Sequence, residues 1–156
     1  MIPNTPTVGF APDEIDTAAP TRAARLKWVV IVNESLAAGQ AANAAICVAA
    51  ATATGVAGVL GPDAVDAAGG IHPGLPWAGC TVLVADSATL AGIRSKAAAH
   101  EAMFVADMPS DAQLTRVYDE YLAAVAAADD IEYLAVSVVG PKNQVDRMIG
   151  RLSLLA

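Results

Sequence analysis

KWVVIVNESLAAGQAANAAICVAA, residues 27–50, contains the switch from strand to helix on which the fold depends. Lys27 to Asn33 is a continuous apolar run rich in β-branched residues, the pattern of a central strand covered on both faces. Asn33, Glu34 and Ser35 then suit a turn. An Ala-rich helix is expected to follow to about Ala57, broken by Gly55, Gly58 and Gly61-Pro62. The uncharged stretch from Ala37 to Leu60 is long enough to cross a bilayer, but it holds Gln40, Asn43, Thr52 and Thr54 and many weakly apolar alanines. It is read as a buried helix of a soluble domain.

Working outward, Gly61 to Gly79 forms a long loop with five Gly, three Pro and His72, and at most one helical turn over Asp63 to Ala68. Cys80 to Ala85 reads as a second strand. Asp86-Ser87 supply the N-cap of a helix from about Ala88 to Ala99, which His100-Glu101 close. Ala102 to Ala106 is a third strand ending at Asp107. Ser110-Asp111 start an amphipathic helix to about Ala127, whose buried stripe runs through Leu114, Val117, Tyr121, Leu122 and Val125. Tyr133 to Val139 is the last strand, Gly140-Pro141 the turn, and Val145 to Ile149 lie on the closing helix. Alternating strands and helices predict an α/β fold, a three-layer α/β/α sandwich around a mixed sheet of about four strands.

The chain of 156 residues has the size of one domain, read as residues 25–156 behind an acidic, Pro-rich N-terminal segment, residues 1–24. That segment has neither a basic n-region nor an apolar h-region, so a cytoplasmic protein is expected. Hydrophobic residues make up 55% but aromatics only 4%, so the core must be built from tightly packed Ala, Val, Leu and Ile. A net charge of −7 with nine Lys and Arg argues against tight binding to a phosphate backbone. Cys47 and Cys80 stand apart with no metal-type spacing and read as small core residues. No metal site and no cofactor are expected.

In open α/β sheets, sites form beyond the carboxyl ends of the parallel strands. The candidates there are Asn33, Glu34 and Ser35 after the first strand, Gly39, Gln40 and Asn43 where its helix starts, Asp107 after the third strand, and Lys142 after Gly140-Pro141.

These residues also carry a family resemblance. Residues 27–50 resemble the opening strand, Gly-containing loop and helix of type 2 peptidyl-tRNA hydrolases. WAGCTVLVADSATLAGIRSKAAAHEAMFVAD (77–107) is similar to their second strand, helix and third strand. EYLAVSVVGPKNQVDRMIGRLSLL (132–155) is similar to their last strand, Gly-Pro turn, helix and terminal strand. The motifs are Gly39, Ala44-Ala45, Cys47, Asp107 and Gly140-Pro141. The pattern is also similar to the DUF2000 group of uncharacterised bacterial proteins, placed beside those hydrolases.

The resemblance implies the hydrolase fold, with departures where its chemistry would lie. The family's glycine loop is rich in lysine, and one lysine serves the reaction. The matching positions here are Ala37, Gln40 and Ala42, and Ile46 and Ala49 stand where the family has glutamine and histidine. Cleaving an ester joined to a polyanion requires a donor or cation at the developing oxyanion and a positive surface for the phosphates. Neither is evident. The hydrolases continue after the third strand with a short Gly-Arg-Thr type loop, where this chain has its 111–127 helix.

Each candidate also has a structural reading. Asp107 matches the family's aspartate and is the candidate for acid/base catalysis, but a carboxylate without a positioned partner more often serves as a helix N-cap or accepts hydrogen bonds in a loop. Ser35 lacks a nucleophile elbow and suits a turn. His72, in His-Pro-Gly-Leu-Pro, anchors a rigid loop or, near Trp77, contributes to a site. Asp129, Asp130 and Glu132 suit a solvated acidic loop better than a metal site. Lys142 with the amides of a helix start can hold an anion.

Three function classes follow. The first is a hydrolase-like domain without hydrolase activity, binding a small molecule in a cleft of Asn33, Glu34, Ser35, Gln40, Asn43, His72 and Asp107. The others are a divergent peptidyl-tRNA hydrolase using Asp107 and Lys142, and a non-enzymatic homodimeric interaction domain. The first is preferred, with a small uncharged or cationic ligand as partner rather than tRNA or a membrane.

Overall fold

Strand β1 (Leu26–Asn33) divides the core in two. Its alternate residues Trp28, Val30 and Val32 join one buried cluster, and Val29 and Ile31 join the other, so both faces are covered as the unbroken apolar run requires. The computed structural model describes residues 7–156; residues 1–6 of the N-terminal segment lie outside the described residues.

The chain continues through α1 (Ala38–Gly55), the short strands β2 (Ala64–Val65) and β3 (Ile71–His72), β4 (Thr81–Ala85), α2 (Ser87–Ala98) and β5 (Phe104–Pro109). It closes with α3 (Asp111–Leu114), α4 (Tyr118–Ala127), β6 (Tyr133–Pro141) and α5 (Lys142–Ile149). The main sheet has the order β4-β1-β6-β5. β4 runs parallel to β1, and β6 runs antiparallel to both β1 and β5. α1 covers one face with Ala41, Ala44 and Val48; α2 and α5 cover the other with Leu90, Ile93, Ala97 and Val145. This is a three-layer α/β fold around a mixed four-stranded sheet. The tail adds a single antiparallel bridge to the outer edge of β4, with Val84 N–H donating to Ser153 O at 2.9 Å and Leu155 N–H to Val82 O at 3.0 Å.

Among the described residues, no helix is long and apolar enough to cross a membrane. α1 buries one stripe, Ala41, Ala44, Val48 and Thr52, and leaves Ile46 67% exposed. Inside that face, Trp28 Nε1–H donates to Ser137 Oγ at 2.8 Å, and Thr52 Oγ1 donates to Val48 O at 2.7 Å. Ser137 and Thr52 hydroxyls lie 2.7 Å apart, so Ser137 must be the donor between them. Asp86 caps α2 as its position predicted, its carboxylate accepting from Thr89 N at 2.8 Å. Of the N-terminal segment, Phe10 is buried against Trp77, and Arg25 binds both Glu14 and Gly9 O.

Several sequence expectations are corrected. The 111–127 helix is two helices, broken where Thr115 and Val117 take extended conformations and Thr115 Oγ1 donates to Asp111 O. Its apolar stripe is not buried: Leu114 is 78% and Leu122 49% exposed, and Tyr121 and Val125 are only half-buried. β5 extends past Asp107 to Pro109, with a register shift after Met108; an edge strand tolerates the missing proline donor. Residues 63–68 start a hairpin rather than a helical turn, since Asp66 Oδ1 accepts from Ala68 N and Gly70 N and Gly69 adopts φ +85°. β6 continues through Gly140-Pro141 directly into α5 without an intervening turn. Cys47 and Cys80 are both exposed, not core residues.

Candidate functional site

β1, β4 and β5 point the same way, so their carboxyl ends share one edge of the sheet; antiparallel β6 starts there and finishes at the opposite edge. That geometry separates the predicted site residues. Lys142 follows the end of β6, where Pro141 pairs with Leu26 at the start of β1. It therefore does not join Asn33 or Asp107. The direction of β6 is a property of the sheet and not of the local sequence. His72 does not join them either. It lies exposed in the β2–β3 hairpin on the way to the start of β4, its Nε2 3.1 Å from Asp66 Oδ2.

At the carboxyl edge, Asn33 is buried and organises the turn behind it. Its Oδ1 accepts from Ser35 N (3.0 Å) and Ser35 Oγ (2.8 Å), and its Nδ2 donates to Ser87 Oγ (2.9 Å) and Tyr133 O (3.4 Å). The Ser35 hydroxyl is thus spent on an Asx-type turn. Glu34 is exposed, its amide bonded to Ala85 O at 2.9 Å. Asp107 faces Val136 across the ladder, on the side that α2 covers, and Arg94 Nε donates to its Oδ2 at 3.1 Å. The Arg94 guanidinium in turn lies 5.6 Å from the centre of the Tyr133 ring. Arg94 thus fixes the direction of this carboxylate.

A groove of about 630 Å³ lies between α1, the end of β5 and the α3–α4 pair. Asn43 and Asp107 both line it, together with Cys47, Arg116, Tyr118 and Tyr121. Gln113 closes its end at the start of α1, with Nε2 donating to Gln40 O (3.1 Å) and Asn43 Oδ1 (3.2 Å). The Asn43 carbonyl is therefore occupied, and what Asn43 offers a ligand is its NH₂. The Gln40 side chain turns back to the helix, its Oε1 accepting from Ala37 N at 3.3 Å. Tyr118 and Tyr121 stand 5.4 Å apart, tilted by 59°. Burial foremost, then the neighbouring Tyr118, Asp107 and Asp111, push the Tyr121 hydroxyl above its ordinary value, so it is a hydrogen-bond donor at neutral pH.

Sequence reading placed Asn43 and Asp107 here and missed Cys47, Arg116 and Tyr118. The visible signal was Tyr118 one helical turn before Tyr121, of which Tyr121 was read as part of a buried stripe. Cys80 lies elsewhere, and burial of its sulfur's surroundings pushes the thiol up to about 12 although the residue keeps exposed surface, the wrong direction for a nucleophile. Among the described residues, no three His, Cys, Asp or Glu side chains gather as metal ligands would.

Residues 26–156, from the first residue of β1 to the end of the chain, match the family described as protein of unknown function DUF2000. The chain belongs to the DUF2000 family. The fold of this DUF2000 domain is similar to the solved structure of a protein of unknown function from Agrobacterium tumefaciens strain C58, at 16% identity and a TM-score of 0.77, covering 85% of this chain and 98% of that one. At that identity the likeness concerns the fold. No curated protein matches the chain.

Proposed function

We propose that this DUF2000 domain is a small-molecule binding domain, related in fold to type 2 peptidyl-tRNA hydrolases but without their reaction, and that its ligand lies in the groove between α1, β5 and α3–α4. The observation that carries this reading is the groove's lining: an amide, two tyrosines, a thiol and one arginine around about 630 Å³, the volume of an ordinary ligand pocket. A planar ligand can rest against Tyr118 or Tyr121 while Asn43 and the Tyr121 hydroxyl donate to its oxygens or ring nitrogens. Hydrolysis finds less support, because Asp107 is held by Arg94 and Ser35 by Asn33. The domain is proposed to act in the cytoplasm.

Protein-observed NMR during titration with a set of small planar amides and heteroaromatics tests the reading. Binders should shift the resonances of Asn43, Arg116 and Tyr121, and Asn43→Leu should abolish those shifts while the protein remains folded. Shifts that persist in Asn43→Leu would remove the groove as the site. A peptidyl-tRNA cleavage assay should give no rate above background.

One observation favours a second reading, a homodimeric interaction domain: Leu114, Val117, Tyr118 and Leu122 form an exposed apolar surface beside the groove. Light scattering at high protein concentration decides it, since a monomer mass would end the homodimer.

A further inference from the structure

β1 is longer than its parallel partner at the amino end. β4 begins at Thr81, opposite Val29, so Leu26, Lys27 and Trp28 pair with β6 on one side and have no strand on the other. A pocket of about 410 Å³ opens in the space where β4 has not yet begun. Its floor is Leu26 to Trp28, one wall is Ala78 to Thr81, and the other is the approach to β1 at Thr21, Arg22 and Ala24, with Lys142 at the rim. This is the far edge of the sheet from the groove described above.

The pocket's charge is opposite to that of the protein. The chain carries nine Lys and Arg and a net charge of −7, yet three of the nine, Arg22, Lys27 and Lys142, line this one cavity. Among the described residues, the carboxylate paired with two of them is Asp146. Asp146 accepts from Lys27 Nζ at 2.5 Å and from Lys142 Nζ at 2.9 Å, and these two bonds hold its carboxyl below the ordinary range. Asp146 is one negative charge between two ammonium groups, so it fixes their positions and leaves the cluster positive. Thr21 and Thr81 bring hydroxyls to the same lining, and the unpartnered side of β1 brings backbone polar groups. A convergent set of cations and neutral donors around a concavity is the recognition chemistry of a compact oxyanion.

We propose that this pocket binds a small molecule through a phosphate or carboxylate group, with Arg22, Lys27 and Lys142 supplying the charge and Thr21 and Thr81 the neutral hydrogen bonds. Asp146 is a positioning residue that orders the two lysines. At about 410 Å³ the pocket is sized for a small molecule and not for a nucleic-acid backbone, which requires a continuous basic track.

Titration of the full-length protein with inorganic phosphate, pyrophosphate and citrate at low ionic strength, followed by amide NMR, tests the proposal. At least one anion should produce saturable shifts at Thr21, Arg22, Lys27, Thr81 and Lys142, and added sodium chloride should weaken them. Lys142→Gln and Arg22→Gln should each raise the dissociation constant about tenfold or more, in line with the loss of one charge-assisted hydrogen bond. Thr81→Glu, which puts a carboxylate into the lining, should abolish binding with the fold retained. Lys96→Gln, on an exposed face of α2, should change nothing. The relative affinities of phosphate, pyrophosphate and citrate distinguish a phosphoryl from a carboxylate ligand. Absence of saturation with all three anions overturns the proposal, as does an equal loss of affinity in Lys96→Gln.

Discussion

Ser137 Oγ lies 2.7 Å from Thr52 Oγ1, joining the middle of β6 to α1 inside the core. Because Trp28 Nε1 donates to Ser137 and Thr52 donates to Val48 O, the chain of bonds has one direction and no spare member. Ser137→Ala strands the Trp28 donor in a fully buried place and should cost about 1–3 kcal/mol, read from the urea midpoint. Thr52→Val, which keeps the shape, should cost a similar amount. The double variant should cost much less than the sum of the two, since either change alone already breaks the relay. Additive losses would mean that the two hydroxyls act independently.

Asp107 and Arg94 link β5 to α2 at the sheet's carboxyl edge, with both side chains partly open to water. Such a pair is worth little, so a double-mutant cycle with Arg94→Gln and Asp107→Asn should give a coupling of about 0.5–1 kcal/mol, shrinking in high salt. Asp107 lines the groove with its carboxylate engaged by Arg94, so Asp107→Asn should weaken groove binding less than Asn43→Leu does. A loss of ligand shifts as large as that in Asn43→Leu, with unchanged stability, would make Asp107 a direct ligand contact.

Arg25 binds Glu14 and, through Gly9 O, holds the N-terminal segment against the end of α1. The Arg25 hydrogen bonds first, and the Ala11 amide second, lower the Glu14 carboxyl from 4.5 to about 2. A depressed carboxylate adds stability that is present above its unfolded value and is lost as pH falls through the folded one. The segment should therefore stay docked at neutral pH and loosen between about 4.5 and 2. Carbon-13 NMR of the Glu14 carboxyl should show a midpoint near 2, returning toward 4.5 in Arg25→Gln. An ordinary glutamate midpoint in the wild type would discard the pairing.

The sequence made plain what depends on local chemistry. β1 was legible because residues 28–32 are apolar on both faces, and α2 because Asp86 can serve as an N-cap. Lys142 was assigned to the wrong edge because nothing within residues 133–142 reveals that β6 runs against β1. The stripe through Leu114 and Leu122 has helical period, but period says only which residues share a face. Burying that face needs a neighbour, and Leu114 and Leu122 stay exposed. The groove was half legible for the same reason: Asp107 follows from a strand end and Asn43 from the start of the helix after β1, whereas Cys47 and Tyr118 meet only through the packing of α1 beside α3–α4.

Gly39 supplies the last test. It is the second residue of α1, in the position where the resemblance puts the hydrolases' loop glycine, yet a Cβ built there meets nothing within 4 Å. Its φ is not positive, so the backbone does not require glycine. Gly39→Ala should therefore be neutral or raise stability by up to about 1 kcal/mol, through helix propensity and a less flexible unfolded chain. Denaturant unfolding measures this. If the groove's ligand extends over the start of α1, the same substitution should weaken its binding while the midpoint holds or rises. A lowered midpoint would mean that the space over Gly39 is occupied by the protein itself.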